Sequence, residues 1–148
     1  MTNHIITQEQ FDQALRDRVL SIPIEPQPPN GYEYSFTVDG SHIWARAKDM
    51  AFATPAKFQP QDNLYVGEEW YDSGPFCYLK SEFDGEDMRF ATAKLQPAST
   101  MPINLAEKIL VVDRVEVELV RNHKRSFDES RMVEEWHNKI FVEVKNDR

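Results

Sequence analysis

The stretch Phe58-Gln-Pro-Gln-Asp62-Asn-Leu64-Tyr-Val66-Gly-Glu68-Glu-Trp70 decides how this chain reads. It is a polar turn, then an alternating strand, then two adjacent carboxylates and a tryptophan. Its counterpart is the run Leu95-Gln-Pro97-Ala-Ser-Thr-Met101-Pro102, which leads through a short apolar segment into Val112-Asp-Arg-Val115-Glu-Val117-Glu-Leu119. Alternation of apolar and polar residues at period two marks a half-buried strand, so both runs predict β-structure closed off by proline-punctuated loops.

Working outward, Thr7 with Gln10 forms a capping box, and Ile6 with Phe11 stands at hydrophobic-staple spacing. A helix over Gln8–Leu20 is expected, with Phe11, Leu15 and Val19 as its buried stripe and Pro23 as its stop. Four prolines between Pro23 and Asn30 predict an extended connector. Tyr32, Tyr34, Phe36 and Val38 alternate with polar residues, Asp39-Gly40 signals a type I′ turn, and Ile43-Trp44-Ala45 returns as the second strand of a hairpin. Lys48–Pro60 lacks a pattern and reads as a loop with a short turn at Met50-Ala-Phe52.

Strands are expected over Leu64–Trp70, Phe76–Leu79, Met88–Thr92, Leu110–Val120 and Ile140–Val144. A turn is expected over Glu82–Asp87, a loop over Pro97–Pro102 and one helical turn over Leu105–Ile109. Ser126 and Glu129 form a second capping box, from which a helix to His137 would bury Phe127, Met132 or Val133, and Trp136. Many short strands without β-α-β alternation predict one α+β domain over residues 1–148, mostly antiparallel, closed as a small pseudo-barrel with two principal helices.

Composition narrows the function. The chain has 148 residues and a net charge of −8, and residues 61–100 hold eight acids against three bases. Phosphate-binding surfaces draw affinity from Lys and Arg, so positive charge is scarce here. The acids favour solubility or an acidic face for a basic protein partner. Cys77 is the single cysteine; it forms no internal disulfide, fits a reducing cytoplasm, and reads as a buried strand residue. No apolar run reaches the ~20 residues of a membrane span, and the N-terminus lacks a signal pattern, so no membrane partner and a cytoplasmic location are expected. His4, His42, His123 and His137 show no metal-ligand spacing, so neither metal nor cofactor is expected.

The pieces together resemble the phage-type ASCH family of PUA-like domains. In that family a Gly-Asp turn leads into a strand ending Arg-Glu-Thr-Trp, and a later Met-Pro segment leads into a Val-x-x-Val-x-Val strand. Pro23-Ile-Glu-Pro26-Gln27-Pro28, Phe76-Cys-Tyr78 and Glu135-Trp136-His-Asn138-Lys-Ile-Phe-Val142 resemble further family segments in the same order. Members are commonly encoded by phages and prophages. The resemblance implies a PUA-like fold with a cleft between barrel and helices that takes RNA, single-stranded nucleic acid or a nucleotide.

Some members hydrolyse an acylated cytidine with the lysine and threonine of Gly-x-Lys-x-x-Thr-x-Arg and the glutamate of Arg-Glu-Thr. Glu68 falls on that glutamate. The lysine motif reads Arg16-Asp17-Arg18-Val19-Leu20-Ser21-Ile22 here, Gly67 replaces the family's arginine, and Glu69 replaces its threonine. A carboxylate base works beside a cation that holds it ionised, and this match lacks the cation. The chain therefore reads as a non-catalytic module, with Glu68 catalytic only if an amidohydrolase or ribonuclease has been rebuilt around it.

The candidate ligand contacts are Arg16, Arg18, Glu68 and Trp70. Trp70 either stacks on a base or packs in the core, as does Trp44; Arg16 and Arg18 either meet phosphate or solvate a helix face. The concentrated basic run Arg121-Asn-His123-Lys124-Arg125 makes His123, Lys124 and Arg125 candidate nucleic-acid contacts, or a plain solvated loop between strand and helix.

Overall fold

A computed structural model describes residues 1–47, 50–74, 76–82, 93–125 and 130–145, of which 50, 122–125, 130 and 131 are described by backbone alone. The order is β1 (Asn3–Ile6), α1 (Gln8–Asp17), β2 (Val19–Pro23), β3 (Glu33–Val38), β4 (Ser41–Arg46), β5 (Met50–Pro55), β6 (Asn63–Val66), β7 (Trp70–Asp72), β8 (Cys77–Leu79), β9 (Lys94–Gln96), β10 (Leu110–Arg125) and β11 (Ser130–Val144). Short 3-10 turns occupy Lys80–Glu82, Ala98–Thr100 and Ile103–Leu105. The architecture is α+β and mostly antiparallel.

Three sheets carry it: β1-β6-β10-β11-β2, then β3-β4-β5, then β8-β7-β9. Among the described strand pairs only β1 with β6 is parallel. Among the described residues no sheet closes on itself, so the expected pseudo-barrel is not seen as a closed barrel, and one α-helix stands where two were expected.

The helix α1 starts as its capping box requires. The Gln10 amide donates to Thr7 Oγ1 at 3.1 Å and the Thr7 amide to Gln10 Oε1 at 2.9 Å. It ends earlier than its apolar stripe suggests. Arg18 turns left-handed at φ 58° and its amide closes on the Ala14 carbonyl. Val19 therefore begins β2 instead of continuing the helix, and Leu20 is drawn into the main core by pairing with Ile140.

The second expected helix is replaced by β11, which pairs with β10 from Leu110↔Val144 to Arg125↔Ser130. Residues 126–129, and with them the proposed capping box, lie outside the described residues, as does the strand expected over Met88–Thr92. The loop expected over Lys48–Pro60 contains β5, which pairs along β4 from Ser41↔Pro55 to Arg46↔Met50. The hairpin β3–β4 turns at Asp39 and Gly40, both with positive φ (49° and 75°), as a type I′ turn demands. The strand expected over Leu64–Trp70 is split in two at Gly67–Glu69.

The split has a cause. A Cβ on Gly67 would lie 2.2 Å from the Ala98 carbonyl oxygen, so the 3-10 turn at Ala98–Thr100 rests directly on the backbone there. The main core, with Phe11, Leu20, Leu64, Leu110 and Ile140, lies between α1 and the five-stranded sheet. A second core gathers Tyr65, Trp70, Leu79 and Met101 beneath the 97–106 segment. The β3-β4-β5 sheet docks on β11 through Trp44 against Trp136, ring centroids 5.1 Å apart, and through His42 against Asn138. Its outer face leaves Phe36 and Val38 about half exposed.

Candidate functional site

Glu68 follows the end of β6 and is exposed. It lines a groove of about 340 Å3 with Asp12 and Leu15 of α1, Val66, Glu107 and Lys108. Three carboxylates thus face one lysine, and Glu68 forms no ion pair among the described residues. The Glu68 amide is held by Met101 Sδ at 3.4 Å. This is an acidic groove, suited to a cation rather than to a phosphate.

The other expected ligand contacts do not join it. Arg16 is exposed on α1 and pairs with Asp17 at 3.3 Å. Arg18 is the exposed left-handed cap of the same helix. Trp70 is 8% exposed and packs in the second core, its indole N–H donating to Thr100 Oγ1 at 3.1 Å. It has no free face to offer a base. Trp44 is fully buried, donates to Thr54 Oγ1 at 2.8 Å, and is likewise core. Cys77 is half-buried in β8.

Among its described residues the acidic middle section is not a continuous face. Asp62 is buried, Glu69 pairs with Lys80 at 3.4 Å, and Asp72 caps the Gly74 amide at 2.9 Å. Asp84, Glu86 and Asp87 lie outside the described residues.

The basic run lies on a strand, not on a loop before a helix. β2 pairs with β11 only over His137–Phe141, and β6 with β10 only at Leu110 and Val111. Beyond these, β10 and β11 continue in the ladder as a two-stranded arm. Arg121 pairs with Glu134 at 3.0 Å on its exposed surface. Further out, His123 stands opposite Met132, Lys124 opposite Arg131, and Arg125 opposite Ser130. Lys124 and Arg131 thus occupy the same rung of the ladder.

At the foot of the arm, Gln27 imitates a strand backbone. Its side chain accepts from the Trp136 amide at 2.8 Å and donates to the Trp136 carbonyl at 2.7 Å. The Trp136 carbonyl also accepts the Ile24 amide at 3.0 Å, so the Gln27 side chain supplements the end of the β2 pairing. His137, next in β11, bonds Ser21 through Nδ1 at 2.8 Å, and its buried Nε2 has no partner.

One site escapes the sequence reading altogether. His4 of β1 donates through Nε2 to Asp62 Oδ2 at 2.9 Å. Asp62 is 1% exposed and also accepts from the Thr2 and Gln59 amides, each at 2.9 Å. Burial alone pushes the Asp62 carboxyl up, but the bond from His4 and the two amides outweigh it and hold the group below the usual carboxylate range. The short apolar run His4-Ile-Ile ahead of the capping box is the signal that marks β1; nothing in it announces a partner 58 residues away.

Among the described residues no three or more His, Cys, Asp or Glu gather as a metal site, and no helix is long and apolar enough to cross a membrane. The chain matches no family model, no curated protein and no solved structure.

Proposed function

We propose that this chain is a non-catalytic binding module of the phage-type ASCH, PUA-like kind that engages RNA or single-stranded nucleic acid through its β10–β11 arm. The observation that carries this is the register Lys124↔Arg131. A rung that pairs two cationic residues concentrates the positive charge that a phosphate backbone draws on. His123 and Arg125 stand on the adjacent rungs of the same ribbon. The order of the motif pieces along the sequence supports the family part of the proposal, and the acidic groove at Glu68 argues against phosphate entering there.

The test is a salt-dependent titration of a labelled single-stranded RNA. Single strands lose affinity with a log–log slope of about −0.7 for each phosphate neutralised, so contact by three cations gives a slope of about −2. Reversing Lys124 and Arg131 to glutamate should flatten the slope and remove most binding. Binding that is unchanged in this double variant would overturn the proposal.

A second reading is favoured by the groove lined by Asp12, Glu68 and Glu107. There the chain is a protein-interaction module whose acidic groove receives a basic side chain of a partner. Reversal of Glu68 and Glu107 to lysine separates the two: it weakens a basic partner and leaves RNA affinity equal or higher. A revived amidohydrolase or ribonuclease would need a cation on Glu68. Lys57 lines other grooves, Lys48 lies outside the described residues, and Lys108 is the cation that shares the Glu68 groove.

A further inference from the structure

We propose that the groove beside His4 is a binding site for a phosphoryl group. Three separate elements build it: β1 supplies Asn3 and His4, the segment after β5 supplies Lys57, and the 3-10 turn at Ala98–Thr100 supplies Ser99. The groove measures about 440 Å3, and no carboxylate lines it. In a chain of net charge −8, a concave surface without an acid stands out.

The donors that remain free are what an anion needs. The Tyr65 hydroxyl is committed to the Met101 carbonyl at 2.7 Å, and the Thr100 hydroxyl to the Pro97 carbonyl at 2.8 Å. Ser99 Oγ has no hydrogen bond among the described residues. Asn3 uses its carbonyl oxygen for Asn63 at 2.9 Å, which leaves its NH2 group free. Lys57 forms no ion pair among the described residues; its Nζ sits 5.4 Å from the Phe58 ring centre, and that ring packs against His4 at 4.6 Å.

His4 completes the set. A carboxylate only accepts, so the hydrogen on Nε2 belongs to the bond with Asp62 and the ring orientation is fixed. Nδ1 is the nitrogen left for a ligand. The Lys57 ammonium, the Ser99 hydroxyl and the Asn3 amide line one groove with His4, and these donors match the acceptor oxygens of a phosphoryl group.

The site is independent of the arm, and the experiment keeps the two apart. Inorganic phosphate, uridine 5′-monophosphate, uridine, and a short RNA with and without a 5′-phosphate are titrated into the full chain at constant ionic strength, following the His4 imidazole resonances. Phosphate and the monophosphate should shift them saturably, and uridine should not. Lys57→Glu, at an exposed position, should weaken the response about tenfold or more, and Ser99→Ala should weaken it less. Reversal of Lys124 and Arg131 should leave it unchanged. A 5′-phosphorylated RNA binding tighter than the monophosphate assigns the phosphoryl group to a nucleic-acid end; the opposite order assigns it to a free nucleotide. An equal response to uridine, or a Lys57→Glu protein that responds like the parent, would overturn the site.

Discussion

The Tyr65 hydroxyl donates to the Met101 carbonyl at 2.7 Å, and this bond ties together the two stretches of sequence on which the fold turns. Around it, Met101 Sδ meets the Glu68 amide, Thr100 meets Trp70, and Ala98 sits on Gly67. The 97–106 segment is thus strapped over the β6–β7 junction by side chains, and the same strap forms one wall of the groove beside His4. Tyr65→Phe keeps the ring and deletes the donor. The Met101 carbonyl is left buried without its partner, which costs about 1–3 kcal/mol. Chemical denaturation should show that loss with an unchanged m-value.

Gly67→Ala tests the close approach directly. Its Cβ would meet a backbone oxygen at 2.2 Å, and backbone cannot swing aside as a long side chain can. The strap must lift, so the loss should exceed that of Tyr65→Phe and reach about 2–4 kcal/mol, at the upper end of ordinary substitutions. A Gly67→Ala protein as stable as the parent would mean that the strap does not rest on this strand.

Trp70→Ala separates core from ligand contact. The ring is 8% exposed and its N–H is satisfied by Thr100. Removing a buried Trp costs about 3–5 kcal/mol. Stability measured by denaturation should fall by that amount, while RNA affinity measured on the folded fraction at low temperature should stay at the parent value.

How much of this could be read from the chain depends on how local the cause is. The α1 start and the β3–β4 turn are set by residues within three positions of each other, Thr7 with Gln10 and Asp39 with Gly40, and they form as expected. β11 was not legible as a strand in its first half. Met132 and Trp136 are four apart, and residues four apart share a face in a helix and in a strand alike. Pairing with β10 decided between them, and that is a tertiary cause. β5 hid because Ala51 and Ala53 on its exposed face give no contrast with their neighbours.

The site shows the same division. Glu68 could be placed from sequence because it lies in a motif-bearing run. The His4–Asp62 pair could not, because it exists only through the parallel register His4↔Leu64, which brings β1 beside β6. Trp70 stands out in the sequence, but which way it points is settled by Thr100 and Met101, thirty residues on.

His42 makes stability depend on pH near neutrality. Burial lowers its pKa, and the bond to Asn138 opposes this only partly. The chain Tyr34 hydroxyl to Thr37, Thr37 to His42 Nδ1, and His42 Nε2 to Asn138 Oδ1 is complete when the ring is neutral. The unfolded state therefore binds a proton more readily, and the stability His42 contributes is fully present above its ordinary value of 6.5 and is lost as pH falls through the lower folded value. Denaturation midpoints measured across this range should decline below that pH. In His42→Gln the decline should flatten.

Asp62 governs the acid limb. Its folded pKa lies below the model-peptide value of 3.8, so its contribution is present above that pH and vanishes as pH falls through the folded value. Asp62→Asn turns one acceptor into a donor facing the His4 ring or a backbone amide, and losing a hydrogen bond to a charged group costs about 1.5–3 kcal/mol. The variant should therefore be less stable at pH 7 and lose less than the parent as pH falls below the ordinary Asp value of 3.8. Because Asp62 also fixes the His4 ring, the imidazole resonances of the folded variant should move even without ligand. An Asp62→Asn protein with the parent's acid limb and unshifted His4 signals would show that the pair contributes neither stability nor orientation.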